Sequence, residues 1–322
     1  MIPRAQGAGA LTMAAFLALW FGALARFIPS DTAMGPLARI VDAFAPWLLG
    51  AAVVLSLLAM GLGLRRVGGA LCALALGASL HLVGEQHGLS LPVLSDAPPD
   101  MRVLFFNALG GNTTPSDKIV AAALALDPDV IVFAEASAIF PSLARLTSRY
   151  HVLSPCSADQ CELLVAARRQ PLRFWQLRLN PVWEARYAVA EFETAPGQSV
   201  FLVANHLAKP WLSGVADAEL HRLAAQYRWL PGPAIVVGDF NAPPWSRPIR
   251  QLLDWTGMRG LRWPLATWPA GAGAFGMPID QVLVRGGPRV VRMTPFGATL
   301  GSNHRGFVAE ISLPGHGPDP SR

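Results

Sequence analysis

Four aliphatic runs in this sequence end on polar side chains that a buried strand has no need of. Asn107 closes "VLFFN", Glu135 closes "VIVFAE", His206 closes "VFLVANH", and Asp239 and Asn241 close "IVVGDFN". Setting a carboxylate or an amide against the end of a hydrophobic strand costs free energy unless a partner holds it. Taken singly, each of these residues reads as a cap or turn former. Four strand ends carrying Asn, Glu, His and an Asp-x-Asn pair read as a set, because α/β folds gather ligand-binding groups at the C-terminal ends of their strands. Glu135 and Asn107 are oxygen donors that suit a hard cation such as Mg2+, with Mn2+ as its substitute. Histidines add donors for phosphoryl oxygens. Further along, "MPIDQVLV" places Asp280 at a strand start, and "GSNHRGFVAEISL" places His304 just before the last strand. A carboxylate bonded to a histidine fixes its tautomer and stabilises the imidazolium, so Asp280 with His304 would make an acid–base dyad.

Regular elements must position these groups. After a stretch at 85–100 with proline, acidic residues and no periodicity, which reads as a linker, short aliphatic runs alternate with helical spacing. The predicted strands are 102–107, 130–135, 161–168, 187–193, 199–206, 234–239, 280–285, 289–293 and 306–312. Pro115 after Thr114 opens a predicted helix through Leu126. Helical spacing recurs over 217–230 and 246–257, with Asp217 and Ser246 as the expected caps. Strands mixed with a few helices predict an α/β domain with helices covering the sheet faces. The domain spans 101–313, and the tail, 314–322, is expected to be disordered.

The ordered set "FFNALGGN", "VIVFAEAS", "VANHLAKP", "VVGDFNAPPWS", "MPIDQVLV" and "GSNHRGFVAEI" resembles the motifs of the endonuclease/exonuclease/phosphatase superfamily, whose members include deoxyribonuclease I. The nearest likeness expected is to its bacterial membrane-anchored members. The resemblance implies a four-layered α/β sandwich, two mixed β-sheets face to face with helices outside. It also implies metal-dependent hydrolysis of phosphate esters. By matching motif, Glu135 resembles the principal magnesium ligand and Asn107 its neighbour. Asp239 resembles the aspartate that orients the attacking water, and Asn241 a group set against phosphate and metal. His206 resembles a histidine that contacts a phosphoryl oxygen. His304, held by Asp280, resembles the histidine that stabilises the transition state. Arg186 matches a basic residue near the site only loosely. Two positions depart from the pattern. Asn303 stands where the last motif has an aspartate near the metal, removing one negative charge, and Gln281 follows Asp280 where histidine is usual.

The first 84 residues have a different character. Of the 322 residues, 52% are hydrophobic and 15% charged, and few of those charges lie in residues 10–83. Three stretches, 10–28, 44–63 and 67–83, approach the roughly 20 apolar residues that span a bilayer as a helix. The third is the shortest. Arg4, Arg65 and Arg66 favour an N-terminus on the cytoplasmic side, which puts everything after residue 84 outside; Arg26 and Arg39 argue mildly the other way. The first stretch also has features of a cleaved signal, with "ALA" at 23–25, and cleavage would leave the domain on the same side. Cys156 and Cys161 flank a polar turn and could close a disulfide or stand as two thiols; a disulfide persists only in an oxidising compartment. These features predict a bacterial inner-membrane protein with a periplasmic domain.

The substrate class stays open. The formal charge is +5, carried almost wholly by arginine since Lys118 and Lys209 are the only lysines, and no dense basic run marks a nucleic-acid track. Nucleic acid, a nucleotide and a lipid headgroup are the candidate phosphate esters. Trp211, Trp245, Trp263 and Trp268 fall in predicted loops, where they could touch a bilayer interface or pack between layers. The competing reading is a domain of the same fold that has lost catalysis and serves as a binding or anchoring module.

Overall fold

The structure, a computed structural model, describes residues 4–157, 160–183 and 185–314; the expected tail lies beyond these apart from Pro314. It divides into two compact units: one holds Met1–Gly88 with Lys209–Asp217 and Trp245–Arg250, the other Leu89–Ala208, Ala218–Pro244 and Gln251 onward.

The first unit is built from α1 (Arg4–Leu24), α2 (Gly35–Ala43), α3 (Ala45–Gly61) and α4 (Arg65–Gly88). Small side chains let these helices approach closely. Ala15, Ala45, Ala52, Ala59 and Ala75 are fully buried. A β-carbon on Gly68 would fall 2.8 Å from the Ser56 carbonyl oxygen. Large apolar groups such as Trp20, Leu57, Leu74 and Leu80 point outward instead. Two helices are long and apolar enough to cross a membrane, Gln6–Phe27 and Arg65–Gly88, while α2 and α3 form a pair bent by 67° that could supply a third. The expectation that the third stretch is the shortest is therefore corrected. That helix has 24 residues, and α3 is the short one with 17. Trp245, in the same unit, donates its indole N–H to the Ala43 carbonyl at 2.9 Å and packs on Trp47.

The second unit carries thirteen strands among the described residues: β1 (Ser90–Leu91), β2 (Met101–Asn107), β3 (Val130–Ala134), β4 (His151–Val152), β5 (Leu163–Ala167), β6 (Arg173–Leu177), β7 (Tyr187–Ala195), β8 (Gln198–His206), β9 (Ala234–Asp239), β10 (Gly260–Leu261), β11 (Asp280–Arg285), β12 (Arg289–Phe296) and β13 (Gly306–Ser312). The expected linker is not featureless, since β1 within it pairs with β10. Two larger sheets form, in the orders β12-β13-β2-β3-β5-β4 and β11-β9-β8-β7-β6. Each is mixed, with β2–β3 and β8–β9 as the parallel pairs among antiparallel neighbours.

The sheets are packed through one apolar layer. Val103, Phe105, Val132 and Val165 of one sheet meet Ala204, Leu202, Ile235, Val237, Val282 and Val284 of the other in a single buried cluster. The opposite face of the first sheet is covered by α5 (Ser116–Ala125) and α6 (Leu143–Thr147), through Ile119, Val120, Ala123 and Leu146. On the outer face of the second sheet Tyr227 of α7 (Ser213–Trp229) lies against Tyr187 and bonds Asn205. This is the expected four-layered sandwich. The last helix, α8, runs Arg247–Thr256.

Candidate active site

The side-chain period of two along a strand decides which groups meet. Asn107 is in phase with Val103 and Phe105, so it ends the inward face of β2. His206, Asp239 and Asp280 are register partners across β8, β9 and β11. They continue the inward rows Leu202–Ala204, Ile235–Val237 and Val284–Val282, which belong to the apolar layer. The site is thus the polar end of the layer between the sheets. Gly238 helps hold this register: a β-carbon there would lie 2.3 Å from the carbonyl oxygen of its partner Asn205.

Asp239, 1% exposed, occupies the centre. Its Oδ2 accepts Asn107 Nδ2 at 3.0 Å and faces His206 Nε2 at 3.7 Å and His304 Nε2 at 3.8 Å. Its Oδ1 accepts the Asn241 N–H at 2.8 Å. Asn107 Nδ2 also donates to Glu135 Oε1 at 3.3 Å, and Glu135 Oε2 accepts the Gly110 N–H at 3.0 Å. Glu135 follows β3 in the left-handed region (φ 47°), as does Asn241 (φ 50°). An extended side chain in that region is strained, and such strain gathers at functional sites. Asn241 Nδ2 donates to the Leu207 carbonyl at 2.8 Å.

His304 and Asp280 form the expected dyad. His304 Nδ1 lies 2.9 Å from Asp280 Oδ2, and the backbone N–H of His304 donates to Ser302 Oγ at 3.0 Å. Ser302 Oγ in turn donates to the Asn107 carbonyl at 2.7 Å, linking the end of β2 to the loop before β13. Burial opposes a charge on His304, but Asp280, Asp239 and Glu135 outweigh it and raise its pKa to about 9. Burial also pushes the Asp280 carboxyl above the ordinary range, assisted by Asp239, against the pull of His304.

Glu162 is the site residue that the sequence reading missed. It precedes β5 directly after Cys161, with no aliphatic run ahead of it to mark a strand end. Its Oε2 accepts Arg186 Nε at 2.9 Å and faces His206 Nδ1 at 3.7 Å. The imidazole and then Arg186 hold this carboxyl below its ordinary value, against desolvation. Its carbonyl accepts the Glu135 N–H at 2.8 Å. Arg186, loosely expected near the site, therefore acts on Glu162. Cys156 and Cys161 are joined in a disulfide immediately before it. Asn303 is exposed, with its carbonyl accepting the Ala270 N–H at 2.8 Å, and Gln281 Nε2 donates to the Ala242 carbonyl.

The model of the Endonuclease/Exonuclease/phosphatase family matches residues 104–304, more than half of the chain. The chain belongs to that family. Among solved structures, the D. rerio TDP2 complexed with single strand DNA product is 16% identical, with a TM-score of 0.55, covering 66% of this chain and 99% of that one. The human Nocturnin catalytic domain with bound sulfate anion is 17% identical, with a TM-score of 0.52, covering 68% and 96%. An endonuclease/exonuclease/phosphatase family protein from Leptotrichia buccalis C-1013-b is 14% identical, with a TM-score of 0.53, covering 66% and 100%. At such identities the likeness is one of fold. No curated protein sequence matches the chain.

The donors suit a hard divalent cation. Glu135, Asp239 and Asp280 bring three carboxylates together, and one oxygen of each aspartate lies with a His304 ring nitrogen inside a 4.8 Å cluster. Asp280 is engaged by His304, whereas Glu135 is the carboxylate with an open side, its side chain 27% exposed. Oxygen donors grouped in this way suit hard cations better than softer metals.

Proposed function

We propose that the chain is a membrane-anchored, magnesium-dependent hydrolase of phosphate esters. The observation that carries this reading is Asp239 Oδ2, set between the Nε2 atoms of two histidines at 3.7 and 3.8 Å and tied to Glu135 through Asn107. Glu135 and Asn107 would hold the cation, with Asn303 at the rim. When bound, magnesium supplies polarisation of a phosphoryl oxygen and neutralises the leaving oxyanion.

The chain's own groups do the rest. Asp239 orients the attacking water and draws on its proton. His304, charged at neutral pH, directs Nε2–H at the negative charge that develops on the phosphoryl oxygens, and Asp280 keeps the ring from turning. His206 faces the same point, with Glu162 behind it. Asn241 is held at one end by Leu207 and so presents its amide in a fixed orientation. A ligand described as single strand DNA product in one relative, and a sulfate anion in another, support a phosphate-ester substrate. The apolar helices α1 and α4 support anchoring in a bilayer, and the disulfide supports an oxidising, periplasmic location.

The test is hydrolysis of bis-p-nitrophenyl phosphate by the full chain in detergent, with and without Mg2+. Turnover that needs the cation and disappears in Glu135→Ala is the expected result. Turnover that does not need the cation would overturn the metal dependence, and no reaction with DNA, phospholipid or phosphomonoester substrates would leave only the binding-module reading.

A further inference from the structure

Glu219 lies on α7, with 1% of its surface exposed, and takes no part in the chemistry above. Its Oε2 accepts the Ala208 N–H at 2.5 Å, and its Oε1 accepts the Asn180 side-chain amide. Each partner leads back to the site. Ala208 ends the short segment that leaves β8 through His206 and Leu207. The Leu207 carbonyl accepts Asn241 Nδ2 at 2.8 Å, and its N–H donates to the Asp239 carbonyl at 2.8 Å.

Asn180 carries the second path. Its Oδ1 accepts the N–H groups of Val182 and Trp183 at 2.7 and 3.0 Å. The Trp183 ring lies 4.3 Å from the Arg186 guanidinium, and Arg186 holds Glu162, the carboxylate behind His206 Nδ1. One buried carboxylate thus ties together the segment that carries His206 and the segment that braces His206 from behind.

A purely structural contact would not need a carboxylate. Apolar packing of similar volume is commonly as stable as a buried charged group, or more so. Burial does push the Glu219 carboxyl above its ordinary value, which marks the cost of placing it there. What a carboxylate offers is two acceptor oxygens at one point, enough to hold two separate backbone segments at once.

We propose that Glu219 is a positioning residue: by locking residues 206–208 to residues 180–183 it sets the direction of the His206 ring and the Asn241 amide. The inference rests on the hydrolase reading of the site, and its test separates the two.

The experiment uses the full chain in detergent micelles with Mg2+ and bis-p-nitrophenyl phosphate. Glu219→Gln should lower kcat by about 10- to 100-fold, the usual cost of removing a supporting contact, with KM little changed. In a His206→Ala background the same substitution should cost clearly less than in the wild type, because both act through one ring. Wild-type kcat in Glu219→Gln, or losses that simply multiply, would overturn the proposal. A second readout needs no turnover: at fixed pH, without metal, the ring-nitrogen NMR shifts of His206 should move in Glu219→Gln, and unmoved shifts would count against the proposal. Should the wild type fail to hydrolyse the probe, the hydrolase reading fails while this readout still decides the positioning role. If Glu219→Gln does not fold, Asn180→Ala is read by the same two measurements and judged by the same outcomes.

Discussion

Asp239 and Asp280 sit directly opposite one another on antiparallel neighbours β9 and β11. Two carboxylates, 1% exposed each, would repel strongly if nothing stood between them and solvent. His304 answers that repulsion, with Nδ1 2.9 Å from Asp280 and Nε2 3.8 Å from Asp239. The histidine is therefore at once the counter-charge that lets the pair exist and the donor assigned to the proposed reaction.

This sets a pH dependence. The folded pKa of His304, about 9, lies above its ordinary value of 6.5. A raised pKa means that the folded state binds the proton more tightly, so the stabilisation is complete below about pH 6.5 and is lost as pH rises through about 9. Urea unfolding of the metal-free chain between pH 6 and 10, a range chosen from roughly these two values, should show that loss. His304→Gln should flatten it. Identical pH slopes for the two proteins would contradict the assignment.

Removing the dyad's acid should act on rate and on pH together. Asp280→Asn is expected to cut kcat by about 10²-fold or more, in line with the loss of a preorganised partner. It should also move the alkaline limb of the pH–rate profile to lower pH, since the carboxylate that favours the imidazolium is gone. A variant with reduced kcat and an unmoved limb would point to simple misfolding of the pocket.

Glu135 offers a separation of stability from activity. At φ 47° a side chain is strained and glycine is not. Both Glu135→Ala and Glu135→Gly should abolish metal-dependent turnover and weaken magnesium binding measured by calorimetry. The glycine variant should be the more stable of the two, by about 1 kcal/mol. Thermal unfolding that ranks alanine above glycine would refute the strain.

The disulfide gives a prediction about both folding and location. Native maleimide labelling should reach at most Cys72, and reduction should add Cys156 and Cys161. The bond closes a very short loop, so Cys156→Ser with Cys161→Ser should cost about 2 kcal/mol or less. It should also lower kcat, because Glu162 follows directly and braces His206. Three reactive thiols in material taken straight from cells would place the domain on the reducing side.

Much of this site was legible because it is periodic. Asn107, His206 and Asp239 each end an alternating or buried run in the phase that points inward, and a reader of the sequence can count that phase. Glu162 and Glu219 lack such a signal. The first precedes its strand, and the second is interior to a helix whose face toward the site is set by tertiary packing. Helix α7 starts at Ser213, so Asp217 is an interior residue and not the expected cap; Gly214 hides the first turn from a propensity reading. Strand β6 went unseen because "RFWQL" is half-exposed at a sheet edge and mixes polar with aromatic residues. Helix α4 reaches Gly88 through polar residues that look like the beginning of a linker.

His206, Asp239 and Asp280 occupy a single rung across three strands. Their spacing is fixed by main-chain pairing and not by loops, so laboratory evolution could lengthen or exchange the connections that carry no site residue and leave these three side chains in place. Deleting one residue inside β9 would do the reverse: it would rotate Asp239 out of the pocket and bring a neighbour into its place in one step, a frameshift written in space.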